Sequence, residues 1–182
     1  MGLDMFLTKK SYVKNWDHMK PEELHKITVK KGGKDTHIQS ERVNEIEEEI
    51  GYWRKANAVH HWFVENVQEG NDDCKPYYVR KEKLQELLDT VNKVLASCEL
   101  VEGKITNGYR GTPTGLEPII EDGKYVKDPS LAQELLPTQD GFFFGSTDYN
   151  QFYVEDLELT KAILEKAITE SEHGSIYYQS SW

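Results

Sequence analysis

The segment Gly51–Gln68, GYWRKANAVHHWFVENVQ, sets the hardest condition that the fold must meet. Tyr52, Trp53, Trp62 and Phe63 call for burial, because large rings gain most from leaving water. The same stretch carries Arg54, Asn57, Asn66 and the His60–His61 pair, which resist it. Its periodicity continues upstream and predicts a helix over Arg42–Gln68. Ser40 would cap this helix, Glu45, Glu47, Glu48 and Glu49 would lie toward the positive end of its dipole, and Gly70-Asn71 would end it. At about 100° per residue, Ile46, Ile50, Trp53 and Val64 share one face, and Asn57 falls in its middle. His60 and His61 flank that face, and Arg54, Asn57, His61 and Glu65 make one edge of it.

A buried amide needs several hydrogen bonds, and an unpaired one costs on the order of 1–3 kcal/mol. Two readings of Asn57 and His61 follow. They bond to loop backbone and fix a chain crossing, or they face a polar ligand. In the second reading Arg54 is the anion contact, since its fork matches phosphate or carboxylate, and Trp53 is a stacking surface. Adjacent His60 and His61 point their rings about 100° apart on a helix, so they do not chelate one metal. The chain has no HExxH, CxxC, GKS/GKT or GxSxG motif. No catalytic residue, metal or cofactor is assigned.

Elsewhere the pattern is plainer. Leu3, Met5 and Leu7 alternate with Asp4, Phe6 and Thr8 as a first strand. Residues 12–31 read as a loop and a short strand that turns at Gly32-Gly33. Leu84, Leu87, Leu88, Val91, Leu95 and Cys98 stripe a second helix over Lys81–Cys98. Residues 101–138, rich in Gly and Pro, read as loops with at most a short hairpin or helical turn. Asp140-Gly141 marks a turn before a strand-like Phe142-Phe143-Phe144. Asp148 with Gln151 would cap a third helix that Gly174 stops, and Ser175–Trp182 would be a last strand. The fold class is therefore α+β, a small antiparallel sheet packed against about three helices, in one domain over 1–182.

The formal net charge of −10 opposes nonspecific nucleic-acid binding, which needs a basic footprint. No apolar run reaches the length of a membrane span, and no signal-peptide pattern is present. Cys74 and Cys98 lie far apart, outside any metal spacing, and read as free thiols of a reducing compartment.

A second candidate site is TQDGFFFGSTDYNQFY, Thr138–Tyr153. Three consecutive Phe cannot share one side of a strand, so Phe143 or the Phe142/Phe144 pair must cover another surface. Ser146 and Thr147, just before a helix N-terminus, would form a second anion contact with its amides, and Phe143 and Tyr153 further stacking surfaces. Gln139, Gln179 and Trp182 complete the proposed rim.

GLDMFL, EIGYWRKANAVHHWFVENVQ, PTQDGFFFGSTDYNQFY and the terminal YYQSSW resemble a widespread set of small proteins of phages, prophages and gut bacteria. The resemblance covers most of the chain, with residues 100–130 the least distinctive. Some small phage proteins of similar size, usually oligomeric, sequester nucleotide-derived signals of bacterial immunity. The resemblance and the pocket chemistry together imply a cytoplasmic homo-oligomer in the bacterial host. It would bind a small phosphorylated, nucleotide-like ligand without turnover, as a counter-defence sponge. Two other classes stay open. One is an acidic protein–protein inhibitor of a host enzyme. The other is a hydrolase with His60 or His61 as base.

Overall fold

The structure, a computed structural model, describes residues 2–113, 115–141 and 143–182. In chain order its elements are β1 (Asp4–Tyr12), β2 (Lys30–Lys31), β3 (Lys34–Asp35), β4 (Glu45–Arg54), α1 (Asn57–Asn66), β5 (Tyr77–Val79), α2 (Lys81–Ser97), β6 (Leu100–Thr112), β7 (Gly115–Val126), α3 (Ser130–Leu135), α4 (Gln151–Glu170) and β8 (Ser175–Ser181). The chain is α+β. Its main sheet is antiparallel in the order β4-β1-β8-β5. Leu3, Met5, Leu7, Val79, Ile176 and Tyr178 face the helices, buried. Phe6, Tyr52, Tyr78 and Tyr177 lie in the same four strands but stay partly or fully open to solvent. One covered and one solvated face is the ordinary state of an antiparallel sheet.

The largest correction concerns Arg42–Gln68. Its first half is not helix but β4, an edge strand. The four acids that suit a helix start instead lie beside the basic end of β1. Lys9 pairs in register with Glu48 and Lys10 with Glu47. Lys9 Nζ lies 2.9 Å from Glu48 and 2.6 Å from Glu170, and Lys10 lies 3.6 Å from both Glu45 and Glu47. Helix propensity is a weak prior, and β1 needed a partner on this edge. Ser40 accordingly caps nothing and sits in a 3₁₀ turn over Ser40–Arg42.

A bulge between Leu7 and Thr8 reshapes β4. It lets Ile50 and Gly51 both face inward, followed by Trp53. Gly51 is where α4 crosses: a Cβ there would sit 2.2 Å from Ile163 Cγ2. The core then closes around Trp53, Phe63, Leu84, Leu87, Val91, Leu157 and Leu164. The rings of Phe63 and Tyr178 stack at 3.9 Å and fasten α1 to the sheet.

Three further expectations change. Residues 101–138 are mostly a long hairpin, β6–β7, followed by α3. Glycines hid it, yet Gly103 and Gly123 face each other across the pair, with Tyr125 and Ile105 side chains packed over them. The Phe run is not a strand: Phe143 takes φ 61, Phe144 is buried, and Phe142 lies outside the described residues. Asn150, not Asp148, caps α4, which ends at Glu170 before Gly174 is reached. The first strand, the Gly32-Gly33 turn, the second helix and the last strand stand where the sequence places them.

Gly51→Ala should cost about 1–3 kcal/mol by overpacking against α4. Ile163→Ala in the same chain should recover part of that loss, measured by urea unfolding of the single and double variants.

Candidate functional site

Where β4 hands over to α1, the backbone is bent hard. Lys55 takes φ 63, a conformation rare for a side-chain-bearing residue, and its N–H donates to Leu3 O at 2.8 Å. Ala56 follows at φ −73, ψ 67, and Asn57 N–H closes back on Lys55 O at 2.8 Å, an inverse γ-turn. Gly145 of the neighbouring loop backs onto this bend at φ 98, where a Cβ would sit 3.1 Å from Lys55 Cβ. Only glycine suits that position.

Asn57, 4% exposed, holds the loop in place. Its Nδ2 donates to Phe144 O at 3.1 Å and Ser146 O at 2.8 Å. Its Oδ1 accepts from Gln139 N–H at 3.0 Å. Of the two readings of this residue, the structure supports the chain crossing. Asn57 lines a cavity but has spent its bonds on the loop that walls it.

That cavity holds about 320 Å³ between the β4–α1 bend, the 138–148 loop, the first turns of α4, and β6 at Thr106, Asn107 and Gly108. Of the expected ligand residues it gathers Arg54, Asn57, Ser146 and Tyr153. Arg54 has a 58% exposed side chain with a 3.5 Å contact to Asp4. Ser146 Oγ accepts from Asp148 N–H at 3.1 Å. The Tyr153 hydroxyl donates to Leu136 O at 3.0 Å, and burial pushes its ionisation well above the usual tyrosine range. Tyr153 is a buried wall, not an open stacking platform.

The remaining expected residues lie off this cavity. Trp53 is fully buried and donates through Nε1 to Thr160 Oγ1 at 2.9 Å, so it is core and offers no stacking face. His61 is half-buried and does not line the cavity, and its Nδ1 is buried without a partner among the described residues. Gln139 enters only through its backbone bond to Asn57. Phe143 is exposed at the loop surface, and Thr147 contributes a carbonyl that accepts from Thr138 Oγ1. Gln179 donates to Cys74 O, and Trp182 Nε1 to Asp72 Oδ1. These last two tie the C-terminus to the 72–74 segment and form no rim.

His60 is also structural. It is fully buried, with Nδ1 2.8 Å from the Tyr178 hydroxyl and Nε2 3.0 Å from Asp72. Burial lowers its pKa despite the nearby carboxylate, so the ring is neutral and its contact with Asp72 is a hydrogen bond, not an ion pair. Neutral His60 accepts from Tyr178 and donates to Asp72. With no exposed edge and both nitrogens occupied, it has no route to a substrate. Among the described residues no three His, Cys, Asp or Glu could hold a metal ion, and no helix is long and apolar enough to cross a membrane.

Lys55, Asp148, Asn150, Glu155 and Asp156 also line the cavity. Lys55 makes no ion pair among the described residues and doubles the positive charge beside Arg54. Burial, then the neighbouring Glu155 charge, raises the Asp156 carboxyl from 3.8 to about 7. Sequence could have pointed to Asn150, since Asn caps helices as well as Asp. Nothing in the sequence brings Asn107 across to α4. No protein-family model, no curated protein and no solved structure matches the chain.

An unfolded Asp156 ionises near 3.8 and the folded one near 7, so the folded chain retains a proton through that window. Its carboxyl therefore lowers stability as pH rises from 4 to 7, and the whole penalty stands above 7. Asp156→Asn should gain about 2 kcal/mol at pH 8, less than full linkage because solvent reaches part of the group. The gain should vanish near pH 4, measured by denaturant unfolding at both pH values.

Proposed function

We propose that the protein binds a small phosphorylated ligand of mononucleotide size in the cavity beside α1 and holds it without turnover. The observation that carries this is the placement of Arg54 and Lys55 together at one side of a half-open cavity, in a chain of net charge −10. Lys55 is held in a rare backbone conformation there, and such strain is often kept where a site needs it. The two cations suit a phosphate. Asp148, Glu155 and Asp156 suit the hydroxyl and N–H donors of a sugar or base, as carboxylates do with ribose. A volume of about 320 Å³ lies at the low end of ligand pockets, roughly 300–1,000 Å³, and favours one nucleotide over two.

The most specific form of this reading is a phage-encoded sponge that removes a nucleotide signal of bacterial immunity in the host cytoplasm. It is supported by the sequence resemblance. Copies would associate through the solvent-side aromatics Phe6, Tyr52, Tyr78 and Tyr177. The same aromatics and the acidity would serve an inhibitor of a host enzyme, whose sign would be a co-purifying host protein and no nucleotide uptake.

Arg54→Ala with Lys55→Gln should weaken 5′-mononucleotide binding by about tenfold or more in calorimetry, with the melting temperature within about 2 °C of the parent. The nucleotide should be recovered unchanged after denaturation. Unaltered affinity in the double variant, or a converted nucleotide, contradicts the proposal.

A further inference from the structure

Asn150 keeps a hydrogen-bond donor that nothing among the described residues uses. The residue is 2% exposed and lines the cavity. Its Oδ1 accepts from Phe152 N–H at 2.9 Å and Tyr153 N–H at 3.4 Å, which fixes which end of the amide faces the helix. Its Nδ2 is buried and has no partner among the described residues. A donor stranded in this way is disfavoured, and the cap does not require it, since Asp or Ser caps α4 without a spare N–H. The amide makes sense if something that enters the cavity accepts from it.

The surroundings narrow the acceptor. Asp148, Glu155 and Asp156 line the same cavity, Asp148 two residues before Asn150 in the chain. A phosphate set among carboxylates is repelled, whereas Arg54 and Lys55 take one. The group that suits Asn150 is therefore neutral, a carbonyl oxygen or a ring nitrogen. The carboxylates in turn accept from N–H groups, and half-buried Phe152 supplies aromatic wall for a planar ring. A nucleobase edge carries a neutral acceptor beside N–H donors.

Resting on the cavity reading above, we infer that the α4 side of the cavity reads a nucleobase edge. Asn150 Nδ2 donates to the base's neutral acceptor, and a cavity carboxylate accepts from its N–H. The ligand is then a nucleotide and not a sugar phosphate, with its base toward α4 and its phosphate toward Arg54 and Lys55.

Calorimetry with the 5′-mononucleotides of the four bases, and with ribose 5-phosphate as the base-free probe, tests this. At least one nucleotide should bind about tenfold or more tighter than ribose 5-phosphate. Asn150→Asp and the uncharged Asn150→Ser both keep a cap oxygen and should keep the melting temperature within about 2 °C. Each should bring that nucleotide down to the affinity of ribose 5-phosphate. The Ser variant carries the test if the added charge of Asp unfolds α4. Equal binding of ribose 5-phosphate and nucleotides, or a preference that survives both variants, overturns base reading and leaves the phosphate end standing. Absence of binding by every probe overturns both.

Discussion

One buried amide determines the geometry of the candidate site. Asn57 bonds Phe144 O, Ser146 O and Gln139 N–H, and so joins the start of α1 to both ends of the 138–148 loop. Each bond contributes about 1 kcal/mol net, but losing one leaves a buried group unpaired at about 1–3 kcal/mol. The loop also bonds across itself from Thr138 Oγ1 to Thr147 O and buries Phe144, and Asn57 ties both of its ends to α1. Gly145 can then back onto Lys55, and Ser146 and Asp148 join Arg54 in lining the cavity.

Helix α4 carries two duties along its length. Its middle is core: Thr160 accepts from Trp53, and Ile163 fills the space left by Gly51. Its first turns are the cavity wall, through Asn150, Phe152, Tyr153 and Asp156. The cost of the raised Asp156 carboxyl is thus carried by a helix whose place the core already secures. The Tyr178–His60–Asp72–Trp182 chain of hydrogen bonds secures the C-terminus, away from the cavity.

What the sequence made legible follows from range. Local, strongly periodic signals were readable: the alternation at Leu3–Leu7, the stripe from Leu84 to Val91, the Gly32-Gly33 turn. Asn57 was readable as an anomaly because a polar residue sat in an apolar face, although the helix assumed there begins only at Asn57 itself. The acidic run Glu45–Glu49 was not readable, since its partners Lys9 and Lys10 lie far away in sequence. The β6–β7 hairpin was obscured because Gly103 and Gly123 make sense only when paired. Arg54, Asn57, Ser146 and Tyr153 line the cavity, while Trp53 is core, because aromatic spacing does not distinguish a wall from an interior.

The central claim is that Asn57 builds the cavity by holding the loop. Hydrogen exchange on Asn57→Asp tests it most directly, because the variant keeps an acceptor for Gln139 N–H and loses both donors. The account predicts faster exchange confined to residues 138–148, with β1, β8 and the middle of α4 as protected as before. Unchanged exchange in that loop, or uniform loss of protection across the sheet, would contradict it.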